Sequence, residues 1–207
     1  MVSADALVYV VDDDPAVLDA IRLLLRSVGL RSQTFESAAA FLDAFDRDQH
    51  GCLVLDVRMP SMSGIDLQEK LQEIGATIPI VFVTAHGDIP MAVQAVKAGA
   101  LDFIPKPFRD QDLLDRVQQA IAIDTQQRRE QEEKLSVSAR YNALSPRERE
   151  VLELVVAGKA NKVIAADLGI SQRTVEIHRA RVMQKMGADS LPDLVRLTIE
   201  LDEVTDA

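Results

Sequence analysis

The sequence predicts an α/β fold, a doubly wound five-stranded parallel sheet, followed by a small all-α four-helix domain. Three observations carry this. Short runs rich in Val, Ile, Leu and Phe recur up to residue 104, each followed by a stretch with helical spacing. Residues 124–134 read DTQQRREQEEK, without an aliphatic or aromatic side chain. Beyond them every apolar pattern has helical periodicity.

Residues 7–12 (LVYVVD) read as a buried strand. Asp14-Pro15 supplies an N-cap and a first-turn proline. Val17, Leu18, Ile21, Leu24, Leu25 and Val28 follow at helical spacing, and Gly29 closes that helix. A short strand at 31–35 precedes a helix capped by Ser37 and carrying Ala38, Phe41, Leu42 and Phe45. CLVLD at 52–56 is the third strand, and the loop VRMPSMSG leads to a helix with Leu67, Leu71 and Ile74. PIVFVT at 79–84 is the fourth strand. A helix over about 88–98 ends near Gly99, and LDFI at 101–104 is the fifth strand. The helix after Phe108 carries Leu113, Leu114, Val117 and Ile121.

The segment from residue 124 cannot bury a face, so it is a solvated extension of the preceding helix or a flexible linker. The expected divisions are 1–123, a linker over 124–140, and 141–207. In the last, Ser145-Pro146-Arg147-Glu148 is a capping box before Val151, Leu152, Val155 and Val156. Asn161 precedes a short helix with Val163, Ile164 and Leu168. Ser171 caps a third helix with Val175, Val182 and Met186, and Ser190 opens a fourth with Leu194, Leu197 and Leu201.

Composition narrows the function classes. No apolar stretch approaches the roughly eighteen residues of a membrane span. The N-terminal apolar run has no basic flank and ends in acids, unlike a signal peptide. The single cysteine, Cys52, excludes an internal disulfide, and a buried core position in a reducing, cytoplasmic setting is expected. The net charge of −10 hides an asymmetry. Residues 1–124 hold 10 basic and 19 acidic side chains, a balance of −9. Residues 140–196 hold 10 basic and 7 acidic, a balance of +3, so only the back module favours a polyanion.

In a parallel α/β sheet the ligand site lies at the carboxyl ends of the strands. Asp12 and Asp13, Asp56, Thr84 and Lys106 follow or end four of the predicted strands. Two unit charges about 4 Å apart repel by about 4 kcal/mol at an effective dielectric near 20, and Lys106 offsets only one of three acids. A divalent cation would offset most of the rest. Oxygen ligands in small number suit Mg²⁺, which keeps several waters. Three acids, a hydroxyl and an ammonium point to a metal-assisted phosphate site, with Asp56 on the middle strand as the nucleophile.

Val10-Val11-Asp12-Asp13-Asp14, LVLDVRMPSMSG at 53–64, Val83-Thr84-Ala85 and DFIPKPF at 102–108 resemble the receiver domain of two-component response regulators. The resemblance covers about residues 5–123. It implies the flavodoxin/CheY-like strand order 2-1-3-4-5, with Asp56 as phosphoacceptor. It also implies Mg²⁺, or Mn²⁺ in its place, bound by Asp13, Asp56 and the Arg58 backbone carbonyl with Asp12 assisting. Thr84 and Lys106 would contact the phosphoryl group, Phe103 would be the aromatic switch, and the Lys106-Pro107 bond would be cis.

Residues 161–171 read as a short helix, a tight turn with glycine, and a new cap. The next helix, over 172–186, completes a helix-turn-helix. Gln172, Arg173, Thr174, Glu176, Arg179, Arg181 and Lys185 lie off its apolar face. Arg reads guanine edges and Glu accepts from cytosine, while Lys162, Arg179 and Lys185 suit phosphates. LSPREREVL at 144–152, Asn161-Lys162-Val163-Ile164-Ala165 and TVEIHR at 174–179 resemble the LuxR-type DNA-binding domain over about 141–203. The pairing with a receiver, and HGDIPMAVQAVKAGALDFIPKPF at 86–108, are similar to regulators of the FixJ type. His50, His86 and His178 are too dispersed for a zinc site.

The resemblance implies a phosphorylation-activated transcription regulator and not a turnover enzyme, whatever part it takes in its own phosphorylation and dephosphorylation. A sensor histidine kinase would phosphorylate Asp56, a homodimer would form through the 88–110 face, and the 172–186 helix would bind double-stranded promoter DNA. RNA polymerase is a further candidate partner. Three other readings stand beside this one, of which a receiver acting without phosphorylation is opposed by the intact acids, Thr84 and Lys106. A phosphatase with an aspartate nucleophile carries a second acid two residues on, where this chain has Arg58. In the other reading the back module is a protein-binding bundle, against which the +3 balance is a weak discriminator.

Overall fold

The structure is a computed structural model and describes residues 6–85, 93 and 95–205. The chain divides into two compact units, Met1–Arg128 and Arg129–Ala207.

In the first unit the strands are β1 (Leu7–Val11), β2 (Arg31–Phe35), β3 (Gly51–Leu55), β4 (Ile80–Thr84) and β5 (Asp102–Pro105). All neighbours are parallel and the order is β2-β1-β3-β4-β5, as expected. The connecting helices are α1 (Pro15–Ser27), α2 (Ala38–Ala44) and α3 (Gly64–Glu73), and α4 (Asp110–Asn142) follows β5. The helix expected at 88–98 lies mostly outside the described residues, of which Val93 and residues 95–97 are helical.

Side chains alternate between the two faces of a strand. Val8, Val10, Cys52, Val54, Val81 and Val83 meet Leu18, Ile21 and Leu25 of α1 and Leu113, Val117 and Ile121 of α4. Tyr9, Val11, Leu53, Leu55 and Phe82 meet Phe41 of α2 and Leu67 and Leu71 of α3. Both faces are covered, so β3 and β4 are buried at every residue and read as unbroken apolar runs. β2 lies at the edge and alternates instead. Cys52 is fully buried, and burial pushes its thiol far up, so it is a core residue.

The first unit extends to Arg128, past the limit of 123 read from the sequence. Residues 124–140 are helical throughout, as the middle of α4.

In the second unit α5 (Pro146–Val156), α6 (Asn161–Leu168), α7 (Gln172–Met186) and α8 (Leu191–Thr205) enclose Val151, Leu152, Ile164, Val175, Val182, Met186 and Leu194. Val137, from the last part of α4, is buried in the same core. The Ser145 hydroxyl and Glu148 form the expected capping box, with the Ser145 amide 2.8 Å from Glu148 Oε2. Lys185 Nζ donates to the same oxygen at 2.7 Å. That ammonium, with the Ser145 amide, holds the Glu148 carboxyl at about 2 against an ordinary 4.5. Folding therefore gains stability from this carboxylate above pH 4.5 and loses it as pH falls toward 2. Lys185 is 39% exposed, so solvent screens the pair. Glu148→Gln should cost the second unit about 1–2 kcal/mol at pH 7 and nothing near pH 2. Urea titrations followed on the Val175 and Val182 methyl resonances check this.

Candidate functional site

The parallel register brings the carboxyl ends of the central strands level. Val11 pairs with Leu55, so Asp12 and Asp56 leave neighbouring strands side by side. Thr84 pairs with Pro105, which brings Lys106 beside them. Backbone bonds fix these exits: the Asp56 amide donates to Val11 O at 2.8 Å, and the Lys106 amide to Thr84 O at 2.8 Å. The start of α3 presses against the same point. A Cβ on Gly64 would lie 2.2 Å from the Asp56 carbonyl oxygen, so glycine is required there.

Lys106 Nζ lies 2.5 Å from Asp12 Oδ2 and 3.0 Å from Asp56 Oδ1. Asp12, Asp56 and Thr84 are buried at 3%, 6% and 1% exposure. Asp56 Oδ2 accepts from the Arg58 amide at 2.6 Å, and Asp12 Oδ1 from the Asp14 amide at 3.0 Å. Burial pushes the Asp56 carboxyl above its ordinary 3.8, and the hydrogen bond and charge of Lys106 only partly counter this. Burial pulls the Lys106 ammonium down, but its bonds to both carboxylates outweigh that and raise it. Two buried carboxylates thus share one ammonium and keep an excess negative charge.

Asp13 follows Asp12 at the carboxyl end of β1. Its side chain is exposed, and among the described residues no three Asp, Glu, His or Cys side chains group tightly enough to hold a metal ion. The chemistry of the donors nevertheless fits Mg²⁺. They are carboxylate and backbone carbonyl oxygens, and Mg²⁺ is held by one or two carboxylates with water completing its shell. Phe103 is half-buried on β5, with its ring centroid 6.4 Å from that of Phe82. The Lys106-Pro107 bond is cis.

In the second unit Gly169 ends α6 in the left-handed conformation and Ser171 caps α7, which makes the expected helix-turn-helix. Lys162, Gln172, Arg173, Glu176 and Arg181 are exposed. Thr174 is half-buried, with its hydroxyl 2.8 Å from that of Ser171. Arg179 is half-buried and donates to Asn161 Oδ1 at 2.8 Å. Asn161 is the first residue of α6 and orients this arginine instead of capping its helix. Lys185 is tied to Glu148 and to Ala143 O at 3.1 Å, so it serves the fold first.

One surface residue was not foreseen. Ile177 is 46% exposed. At helical spacing it shares a face with Arg173, Ala180 and Gln184, opposite the buried Val175, Val182 and Met186. Its displacement from that buried stripe was the available signal.

The receiver-domain model, described as response regulator receiver domain, matches residues 8–118, which is over half of the chain. A second model, bacterial regulatory proteins of the luxR family, matches residues 142–198. The chain belongs to the response regulators. It joins a receiver to a LuxR-type DNA-binding domain, as transcription regulators of two-component systems do. It is 49% identical to response regulator protein TmoT of Ectopseudomonas mendocina, over 96% of this chain and 90% of that one. It is 43% identical to the transcriptional regulatory protein FixJ of Bradyrhizobium diazoefficiens, over 96% and 97%. The low-resolution structure of the response regulator StyR matches with a TM-score of 0.88, 48% identity and coverage of 95% and 99%. Receivers bind Mg²⁺ in their acidic pocket and take phosphate from histidine kinases, and the LuxR-type domain implies DNA binding. No helix among the described residues is long and apolar enough to cross a membrane.

Proposed function

We propose that Asp56 is the phosphoacceptor and that its phosphorylation by a sensor histidine kinase drives dimerisation and promoter binding. The convergence of Asp12, Asp56 and Lys106 carries this reading. An Asp56 carboxylate oxygen attacks phosphorus, the donor's phosphorus–nitrogen bond breaks, and an acyl phosphate forms. Asp13, Asp56 and the Arg58 carbonyl would hold Mg²⁺ or Mn²⁺, with Asp12 assisting. When bound, the ion neutralises phosphoryl oxygens and the excess charge of the acids. Lys106 already reaches Asp56 Oδ1, from which it can follow a phosphoryl oxygen. Thr84, at the end of β4, moves toward the phosphate, and Phe103 turns inward against Phe82. The 88–110 face then pairs two copies in the cytoplasm, a population shift set by one local charge event.

Arg173, Glu176, Ile177 and Arg181 read or border the major groove, and Ile177 suits a thymine methyl. Lys162, Gln172, Thr174 and Arg179 flank them, and RNA polymerase is the downstream partner. Lys185 contributes through α5. Lys162→Ala, which removes an exposed phosphate contact, should therefore make the dependence of log affinity on log salt shallower by about one, and Lys185→Met should leave that slope unchanged while lowering stability. Binding assays on promoter duplex over a salt series check this.

The phosphoacceptor is tested by labelling the full chain with acetyl phosphate and Mg²⁺ and reading the modified peptide by mass spectrometry. The reading expects one phosphoryl group, on Asp56. A label on any other residue overturns it.

A further inference from the structure

The segment that looked solvated in sequence contributes a buried carboxylate and a partly exposed guanidinium to an ionic cluster at the far end of β3 from Asp56. Asp124 is 2% exposed and accepts from the Gly51 amide at 2.9 Å and from Arg128 Nε at 3.1 Å, with His50 Nδ1 3.1 Å away. Arg128 donates onward to three successive carbonyls, Arg47 O at 2.7 Å, Asp48 O at 3.1 Å and Gln49 O at 2.9 Å. The loop before β3 is thereby stitched to the middle of α4. Gly51 itself cannot change, because a Cβ there would lie 1.7 Å from Leu7 O.

Stabilising β3 does not require this arrangement. Asp124 alone satisfies the Gly51 amide, whereas Arg128 spends its fork on loop carbonyls one helical turn further along. Every other residue from 125 to 136 is exposed, Leu135 at 62% included, so no apolar packing holds that stretch of α4. A helical segment of about that length is marginal in water by itself. The strand between the cluster and the phosphorylation site is β3, whose five residues are all buried.

We propose that Asp124 and Arg128 form a conformational clamp that keeps α4 helical where it leaves the first unit, so that the state of Asp56 reaches the DNA-binding unit through a held helix and not a slack tether. The inference rests on the reading that Asp56 phosphorylation controls DNA binding. Its own residues are positioning residues, bonded to residues 47–51 at the end of β3 away from Asp56.

The test uses the full chain and the variants Arg128→Met and Arg128→Lys. Amide hydrogen exchange over 125–136 should quicken about tenfold in Arg128→Met and less in Arg128→Lys, which keeps the charge but loses the fork. Beryllofluoride with Mg²⁺ should still occupy Asp56 in both variants. The ratio of promoter affinity with and without beryllofluoride should fall at least threefold in Arg128→Met. Unchanged exchange overturns the clamp, and so does quickened exchange with an affinity ratio equal to that of the unaltered chain. If the methionine variant does not fold, Arg128→Lys carries both measurements with the same expected directions. An unaltered chain whose DNA affinity ignores beryllofluoride would instead sink the reading of Asp56, while the exchange measurement would still decide whether the clamp holds the helix.

Discussion

Replacing Lys106 with methionine should cost the first unit about 3–5 kcal/mol at neutral pH, because it leaves two buried carboxylates facing each other without a counter-charge. The side chains of Asp12 and Asp56 are 4% and 7% exposed, so water screens them little. Methionine keeps the length and apolar stem of lysine, so lost packing is a small part of the effect. A loss of this size is a large share of the 5–15 kcal/mol that typically holds a domain together. Millimolar Mg²⁺ should return much of it, and should stabilise the variant more than the unaltered chain, since the variant has the larger uncompensated charge. Urea titrations read on methyl groups of β3 and β4, with and without Mg²⁺, measure both quantities. A variant within about 1 kcal/mol of the unaltered chain in metal-free buffer would mean that the two acids do not both carry charge in the folded protein.

The sheet was legible because its central strands are buried on both faces and so appear as short, unbroken apolar runs. The site was legible from the rule that such sheets gather function at the carboxyl ends of their strands, which groups Asp12, Asp56, Thr84 and Lys106 from sequence. Asp13, which the receiver resemblance makes an ion ligand, is exposed and outside the pair that Lys106 joins, so its part depends on the ion and not on the protein's own contacts. Asp124 and Arg128 were hidden in a run of polar residues, because their partners are backbone groups at 47–51 that composition does not reveal. The ion pair of Lys185 with Glu148 was hidden for a similar reason: Glu148 lies on another helix. Capping boxes and apolar periodicity are local signals, whereas the partner of a charged side chain is set by tertiary packing.

Asp56→Asn should abolish the response to beryllofluoride without weakening the fold. Coupling between two sites commonly amounts to 1–3 kcal/mol, so the unaltered chain should gain about 5–150-fold in promoter affinity, and the asparagine variant should gain nothing. The stability argument has two opposed parts. Burial raises the Asp56 carboxyl above its ordinary value, so the folded state binds that proton more tightly than the unfolded chain does. Stability from this group is therefore greatest at low pH and declines as pH rises from 3.8 through the raised value, which makes the ionised carboxylate a net cost at pH 7. Asparagine removes that cost and the repulsion from Asp12. Against this, one carboxamide oxygen replaces two carboxylate oxygens, so either the Arg58 amide or Lys106 loses an acceptor, at about 1 kcal/mol. The result should be a stability at pH 7 equal to that of the unaltered chain or higher by up to about 1 kcal/mol, with a flatter dependence on pH. A variant that is folded, at least as stable, and silent would locate the switch in the carboxylate itself. One that still gains DNA affinity with beryllofluoride would place the acceptor elsewhere.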